Sequence, residues 1–299
     1  MQYHVPVLLN ESIEGLDIKP SGTYLDLTFG GGGHSREILN HLSKNGKLIA
    51  FDQDQDAFNN AIDDKRFLLI QSNFKFFRNF LKFHGIETVN GILADLGVSS
   101  HHFDSPERGF STRFQGPLDM RMNRAAKLTA EEVVNTYDQQ KLFEVFALYG
   151  ELPGANKLAG MVCRARESKK IDSVEKLVEA VNPAFPAQVK NKMLAMLFQA
   201  IRIEVNHEMD ALKQMLIQSE KALGSGGRLV VISYHSLEDR LVKNFIRTGN
   251  FEGKRESDFY GNTQSVFEQI NKKVIVPTEE EISSNPRSRS AKLRIGKKL

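Results

Sequence analysis

The stretch Asp26-Leu27-Thr28-Phe29-Gly30-Gly31-Gly32-Gly33-His34 decides the fold of this chain. Residues 23–28 favour a β-strand, and residues 34–44 carry Ile38, Leu39 and Leu42 on one helical face. A strand, a glycine turn and a helix in this order are typical of nucleotide-binding proteins, because glycine lets the backbone approach a ligand closely. Taken alone, the turn is also compatible with a purely structural bend.

The spacing of the glycines narrows the class of ligand. A dinucleotide fingerprint needs G-x-G-x-x-G, but Arg36 stands where the third glycine belongs, and no G-x-x-x-x-G-K-[ST] occurs in the chain. The turn suits S-adenosylmethionine better, since that ligand has no pyrophosphate. An NAD-dependent oxidoreductase remains a weaker alternative.

Further strands are predicted at 47–51, 67–70, 91–94 and 228–233, and helical patterns separate the first four strands. Strands that alternate with helices indicate a parallel sheet covered on both faces. Between about 129 and 206 all signals are helical, starting with a capping box from Thr129 to Glu132. The fold class predicted is therefore α/β, a class I (Rossmann-like) sheet interrupted by an all-helical subdomain.

Acidic side chains follow two of these strands. Asp52 lies about 20 residues beyond the glycines, where a carboxylate can accept hydrogen bonds from both ribose hydroxyls of an adenosine. Asp54 competes for this role, although it also fits a helix N-cap. Asp95 ends the fourth strand and faces the same crevice. Phe74 either packs on an adenine or belongs to the core.

His235 follows the fifth predicted strand and points to that crevice, whereas Ser236 with Asp239 fits a helix cap. No H-x-x-x-H or H-E-x-x-H occurs among the histidines, so no metal site is predicted. The single cysteine, Cys163, excludes an internal disulfide and reads as a small apolar filler.

Composition sets wide limits on function. The chain has 299 residues and a formal net charge of +3, which permits a nucleic-acid partner without demanding one. No signal peptide and no apolar run of about 18 residues are found, so no membrane partner is predicted and the expected location is cytoplasmic.

Long ordered motifs across the chain resemble the RsmH (MraW) family, the bacterial 16S ribosomal RNA cytosine N4-methyltransferases. These motifs are His4-Val5-Pro6-Val7-Leu8-Leu9, residues 28–35, Asp95-Leu96-Gly97-Val98-Ser99-Ser100, Glu107-Arg108-Gly109-Phe110-Ser111, residues 116–122, Phe198-Gln199-Ala200-Ile201-Arg202, residues 235–240 and residues 285–290. The resemblance implies methylation of a cytosine near the decoding (P-site) region of the 30S subunit, with S-adenosyl-L-methionine as cofactor. A homodimer is left open.

The resemblance also implies a division of the chain and a set of cofactor contacts. The methyltransferase domain would comprise 1–109 and 203–299, with a helical insertion for substrate recognition at 110–202. The implied cofactor contacts are Gly32, Gly33 and His34 at the methionine end, Asp52 at the ribose, Phe74 and Asp95 beside the adenine or the reacting group, and His102. The family more often carries Gln at the position of His102, within Ser-Pro-Gln, where this chain reads Ser100-His101-His102.

Cytosine N4 is a poor nucleophile, so the protein must orient the amine and accept its hydrogen bonds. Candidates are Asp95, Asp119 and His235. Arginine and phenylalanine between 108 and 124 suit an exposed RNA strand, although an ordinary basic surface would look the same. The candidate substrate-binding residues are Arg108, Phe110, Arg113, Arg121 and Arg240. The basic segment 287–298 is predicted to act as an RNA-attracting tail. A small-molecule methyltransferase and an inactive cofactor-binding module are the alternatives.

Overall fold

The computed structural model of the chain describes residues 6–98, 100–254 and 265–299. His4, Val5 and Ser99 of the motifs quoted above lie outside the described residues. The chain forms two compact units. The first comprises Met1–Gly97 and Met209–Leu299, and the second comprises Val98–Glu208.

The first unit contains a mixed sheet of seven strands within the described residues, in the order β3-β2-β1-β4-β5-β7-β6. The first five strands of that order run parallel, while β7 pairs antiparallel with both β5 and β6. The strands are β1 (Thr23–Asp26), β2 (Lys47–Asp52), β3 (Phe67–Gln71), β4 (Val89–Asp95), β5 (Leu223–Ser233), β6 (Phe267–Gln269) and β7 (Lys292–Lys298). The predicted α/β fold class is confirmed.

Helices of the described residues are α1 (Leu9–Leu16), α2 (Gly33–His41), α3 (Phe77–Phe83), α4 (Ser100–Asp104), α5 (Ala130–Thr136), α6 (Gln139–Leu148), α7 (Ala155–Ser168), α8 (Val174–Val181), α9 (Lys190–Asn206), α10 (Glu208–Ala222), α11 (Ser236–Thr248) and α12 (Glu279–Ser284). No described helix is long and apolar enough to cross a membrane.

Each face of the sheet carries its own apolar cluster, because successive side chains of a strand point to opposite faces. Leu25 and Ile92 pack in one cluster with Met215 of α10 and Phe245 of α11. Tyr24, Leu93 and Ile295 pack in the other, together with Leu16 of α1 and Ile38 of α2. Strands covered on both faces read as continuous apolar runs, which explains why 47–51 and 228–233 are recognisable in the sequence.

The basic segment 287–298 is part of the sheet rather than a tail beyond it, and its predicted attraction for RNA stays a prediction. Residues Pro286–Ser290 form a 3₁₀ helix, and β7 then enters the sheet between β5 and β6. Leu293 and Ile295 are buried, and the guanidinium of Arg294 donates to both carboxylate oxygens of Asp239 (2.6 and 3.2 Å). The charge of Arg294 is therefore paired with a carboxylate that is distant in sequence.

Two local predictions in the first unit also need correction. The helical pattern expected between the second and third strands is only a 3₁₀ helix over Gln55–Asn60, capped by the Asp54 side chain, which accepts from Asp56 N. The N-cap of α11 is His235 rather than Ser236, and its Nδ1 accepts from Glu238 N at 3.5 Å. The N-cap interpretation of Asp54 is confirmed.

The second unit is helical, from α4 to α9, with an apolar core of its own that includes Phe146, Leu177, Leu197 and Ile201. The predicted capping box is present at the start of α5, where Thr129 and Glu132 exchange side-chain hydrogen bonds with each other's backbone N–H. This unit is wider at both ends than the expected insertion 110–202. Phe103 packs against its core, and α9 continues unbroken to Asn206.

Candidate active site

Three aspartates end neighbouring strands of the sheet. Asp26 ends β1, Asp52 ends β2 and Asp95 ends β4. Because β2, β1 and β4 are adjacent and parallel, their carboxyl ends meet at one edge of the sheet. Ligands of open α/β sheets bind at this edge.

The glycine turn lies at the same edge, between β1 and α2. Gly30 and Gly32 have φ values of +51° and +74°, a backbone conformation that L side chains rarely adopt. Apart from the adjoining residues, no atom of the described residues lies within 4 Å of the position that a Cβ would take at Gly30 or Gly31. The turn therefore presents bare backbone next to open space. Gly33 needs its missing side chain for another reason, since a Cβ there would collide with Pro6.

Asp52 holds the turn in place. Its Oδ2 accepts from Gly30 N and its Oδ1 accepts from Asp54 N, both at 2.8 Å. Asp52 therefore anchors the glycine turn at the edge where a ligand is expected.

Asp26 has a structural role in this edge. Its carboxylate accepts from Ser35 Oγ at 2.7 Å and from Thr28 N at 3.1 Å, which ties β1 to the first turn of α2. The side chain is buried, and burial raises the pKa of Asp26.

Asp95 combines a partly exposed carboxylate with a raised pKa. Its Oδ1 accepts from the Tyr234 hydroxyl at 2.8 Å, and its backbone N donates to Thr28 Oγ1 at 2.7 Å. Its side chain keeps 23% of its surface exposed. Burial of the carboxylate raises the pKa of Asp95 to about 6, although the Tyr234 hydrogen bond opposes this shift. At pH 7 most copies of the chain therefore carry an ionised Asp95, with the neutral acid close in energy.

His34 faces Asp95 as a neutral ring. Burial lowers the pKa of His34, against the opposing effect of the Asp95 charge. Its Nε2 lies 3.1 Å from Val7 O, and because a carbonyl only accepts, Nε2 carries the proton. Its Nδ1 is then an acceptor, 4.0 Å from Asp95 Oδ2. Two acceptors at this spacing suit a ligand that donates two hydrogen bonds.

Tyr234 is the residue of this edge that sequence reasoning missed. It directly follows β5, and burial raises the pKa of its phenol, so the hydroxyl remains a donor to Asp95. The available signal was its place one residue beyond a strand that ends at the ligand edge. Its partner lies 139 residues away along the chain.

The other predicted residues of the first unit lie as follows. The His235 side chain is 8% exposed, with Nε2 3.2 Å from Glu238 Oε1. Phe74 begins a 3₁₀ helix after β3 and is half-buried against one sheet cluster, so both interpretations of it stay open. Arg240 is exposed on α11. The roles predicted for these residues stay predictions.

In the second unit, the residues predicted to contact RNA differ in how deeply they are buried. Arg108 is 2% exposed and donates through Nη2 to Arg121 O and Met122 O, both at 3.1 Å. Phe110 is 5% exposed and packs on His102, with 4.9 Å between ring centroids. The structure thus gives Arg108 and Phe110 a packing role, in conflict with a direct contact to RNA.

Asp119 and Arg121 form a bidentate ion pair, with Nε–Oδ1 at 2.8 Å and Nη2–Oδ2 at 2.7 Å. Burial raises the pKa of Asp119, but hydrogen bonds from Arg121 outweigh it and leave that pKa below its ordinary value.

Arg113 is an exposed arginine of the second unit. Its side chain is 63% exposed, 3.7 Å from an exposed carboxylate oxygen of Asp104, and its guanidinium lies 5.7 Å from the centroid of the Phe114 ring.

The parallel strands, the glycine turn after β1 and the acidic residue that ends β2 define an α/β fold with a nucleoside-binding edge, and the family match makes it a methyltransferase. The chain belongs to the MraW methylase family, whose model matches residues 1–299. A protein of Bacteroides fragilis is 57% identical over 296 residues, which cover 99% of this chain and 97% of that protein. One of Flavobacterium johnsoniae is 58% identical over 299 residues, covering 100% and 99% of the two chains. Both are described as ribosomal RNA small subunit methyltransferase H.

Among solved structures, an rRNA methylase from Streptococcus thermophilus aligns with 97% of this chain and 93% of its own length, at 13% identity and a TM-score of 0.42. This similarity is too distant to add to the assignment, which depends on the family match and the close relatives. Membership of a methylase family supports S-adenosyl-L-methionine, the cofactor that the sequence predicts.

Proposed function

We propose that this chain transfers a methyl group from S-adenosyl-L-methionine to small-subunit ribosomal RNA, at the exocyclic N4 of a cytosine near the decoding (P-site) region of 16S rRNA. The observation that carries the proposal is the exposed part of the Asp95 carboxylate beside an open glycine turn. The chain that holds it is 57–58% identical over nearly its whole length to small-subunit rRNA methyltransferases.

The residues at the sheet edge fit the cofactor. Within the described residues, the space beside Gly30 and Gly31 is open to a ligand against the backbone. The Asp52 carboxylate ends β2, where ribose hydroxyls find an acceptor in folds of this kind. In the proposed arrangement Gly32, Gly33 and His34 contact the methionine end, and Phe74 and Asp95 lie beside the adenine or the reacting group. The cofactor contact predicted for His102 stays a prediction. The cofactor supplies a methyl group already activated by its sulfonium.

Asp95 orients the amine that receives the methyl group. The lone pair of cytosine N4 is conjugated with the ring, so a hydrogen bond from the amine to a carboxylate raises its nucleophilicity and fixes its direction. Tyr234 occupies Oδ1, and Oδ2 lies 4.0 Å from His34 Nδ1. The pKa of Asp95, about 6, also allows this carboxylate to take a proton from the methylated amine.

Asp119 and His235 have smaller parts in this proposal. Asp119 acts through its ion pair with Arg121, whose Nη1 also donates to Arg124 O and Ala126 O and so shapes the loop. His235 caps α11 and holds the chain directly after Tyr234. Both are positioning residues for the reacting edge or the substrate loop, rather than proton acceptors.

The RNA contacts are proposed for exposed cations of the second unit and of α11. Arg113 with Phe114 combines a phosphate ligand with a stacking surface, a combination that suits an unpaired RNA strand. Arg240 is a further exposed cation on α11. Arg108 and Phe110 support the segment from inside.

Labelled cofactor tests this function. The protein is incubated with radiolabelled S-adenosylmethionine and, in parallel, with undermethylated 30S subunits, naked 16S RNA or a mixture of small metabolites. Label in the ribosomal RNA of either RNA sample is the expected result. Label confined to small metabolites would favour the small-molecule alternative, and cofactor binding without any transfer would favour an inactive binding module.

A further inference from the structure

A cavity lies at the edge of the sheet opposite to Asp95, among the amino ends of the strands of the first unit. It has a volume of about 210 Å³ and is lined by α1, by the starts of β1 and β4, and by the glycine-rich segment 224–227 that opens β5. Asp95 ends β4 six residues after Val89, so the two edges lie about 20 Å apart. We call this the Arg228 cavity.

Arg228 is the unexplained side chain of this cavity. Its side chain is 18% exposed, and Nη2 lies 3.5 Å from Asp17 Oδ2. Nε and Nη1 are both buried and have no hydrogen-bond partner among the described residues. Buried donors of a charged group cost free energy unless an acceptor meets them, so a ligand with oxygen acceptors is the partner that this guanidinium lacks.

The other polar groups around the cavity are mostly donors. Lys19 Nζ shares the Asp17 carboxylate with Arg228, so one negative charge faces two positive charges. The Tyr24 hydroxyl accepts from Lys19 N at 2.6 Å, and its own proton has no acceptor among the described residues. Asn90 Oδ1 accepts from Thr23 N, so its oxygen is already used and its amide group can add only donors. An excess of donors and of positive charge selects an anion.

The geometry points to a binding site for a phosphate group in the Arg228 cavity. A guanidinium presents two parallel N–H groups to phosphate oxygens, and the glycines of 224–227 add no side chains that would fill the space. Nothing in the proposed methyl transfer uses these residues, so the site stands apart from the reacting edge. The phosphate comes either from free phosphate or a nucleotide, or from the backbone of the RNA substrate.

Equilibrium dialysis of the full chain against radiolabelled inorganic phosphate tests the site. Wild type is expected to bind one phosphate per chain, and Arg228→Gln to bind at least about tenfold more weakly, since charge-assisted hydrogen bonds are lost. Lys82→Gln, an exposed lysine on α3, is the matched control and should bind like wild type. Absence of saturable binding by wild type, or equal binding by Arg228→Gln, would overturn the proposal.

Asp17→Asn is a second variant, and its result can be interpreted even if Arg228→Gln does not fold. Asp17 has φ of +47°, a conformation that asparagine tolerates well, and the change removes the carboxylate that competes for Arg228. Phosphate should bind about threefold to fivefold more tightly, because a nearby like charge is gone. Weaker or unchanged phosphate binding by Asp17→Asn would show that the ion pair is only structural.

A single-stranded RNA oligonucleotide identifies the source of the phosphate group. If RNA supplies it, Arg228→Gln weakens RNA binding and inorganic phosphate competes with RNA for wild type. If free phosphate or a nucleotide supplies it, RNA affinity is the same in both proteins while phosphate binding still differs. Either outcome supports the site, and methyl transfer activity is not needed to read it.

Discussion

The carboxyl edge of the sheet and the segment 106–124 of the second unit both contain aspartates, but they hold them differently. Asp52 and Asp95 accept hydrogen bonds from neutral donors, namely backbone N–H groups and the Tyr234 phenol. Asp119 is held by the Arg121 guanidinium. Neutral donors position a carboxylate and leave its charge available to a ligand, whereas an ion pair neutralises it. We therefore expect substitutions at Asp52 and Asp95 to affect cofactor binding and methyl transfer, and substitutions at Asp119 to affect the structure of its loop.

The largest effect is expected from Asp95→Asn. The substitution keeps the shape of the side chain but removes the charge that orients the amine and can take its proton. Single-turnover methyl transfer at saturating cofactor should fall about 10²–10⁴-fold. The control is Asp63→Asn, an exposed acid that precedes β3. A rate within tenfold of wild type would place the chemistry on another residue.

Asp52→Ala should act on binding rather than on the reaction. It removes both the acceptors proposed for the ribose and the anchor of Gly30. Calorimetry should show cofactor affinity at least about 100-fold weaker, the value of two charge-assisted hydrogen bonds. Asp63→Ala is the control. Unchanged affinity of Asp52→Ala would refute its role at the ribose.

Arg108→Ala and Arg113→Ala separate shape from recognition within the second unit. Truncation of buried Arg108 removes the donor of two carbonyls and creates a cavity. The free energy of unfolding should therefore fall by about 2–4 kcal/mol in denaturant titrations. Arg113→Ala should leave stability within about 0.5 kcal/mol of wild type but lower the salt dependence of RNA binding by about one unit of slope. The reverse pattern would make Arg108 the RNA ligand.

The smallest effect is expected from Tyr234→Phe. The Tyr234 hydrogen bond favours the ionised form of Asp95, whose pKa is about 6. Methyl transfer by wild type should therefore decline as pH falls through about 6, because protonated Asp95 no longer accepts from the amine. Without the phenol the pKa of Asp95 rises, so the midpoint of this decline moves to higher pH. A structural role alone would lower the rate equally at every pH.

Local patterns were enough to predict much of the fold. The parallel strands β1 to β5 carry apolar runs, and their aspartates were located because each directly follows such a run. β7 was missed because Lys292, Arg294 and Lys297 make the segment look like a basic tail, although Leu293 and Ile295 alternate with them. The partner of Arg294 lies on α11, distant in sequence. The short helix after β2 was overestimated, since Asp54 caps only a 3₁₀ turn.

The position of a site residue was predictable where it depends on one strand, as for Asp52 and Asp95, which end β2 and β4. Their roles stay predictions. Tyr234 was missed because its role depends on a partner 139 residues away. Arg108 was assigned to RNA because a sequence shows its charge but not the carbonyls of Arg121 and Met122 that surround it after folding. Contacts distant along the chain therefore decide which charged residues are available to a ligand.

Nucleoside analysis of the labelled RNA tests the central claim most directly. Small-subunit RNA methylated by the pure protein is digested to nucleosides, and the labelled nucleoside is identified by chromatography and mass spectrometry. The account predicts label in N4-methylcytidine from a single site, and none in that position with Asp95→Asn. Label on a ring carbon, on a ribose hydroxyl or on another base would contradict it.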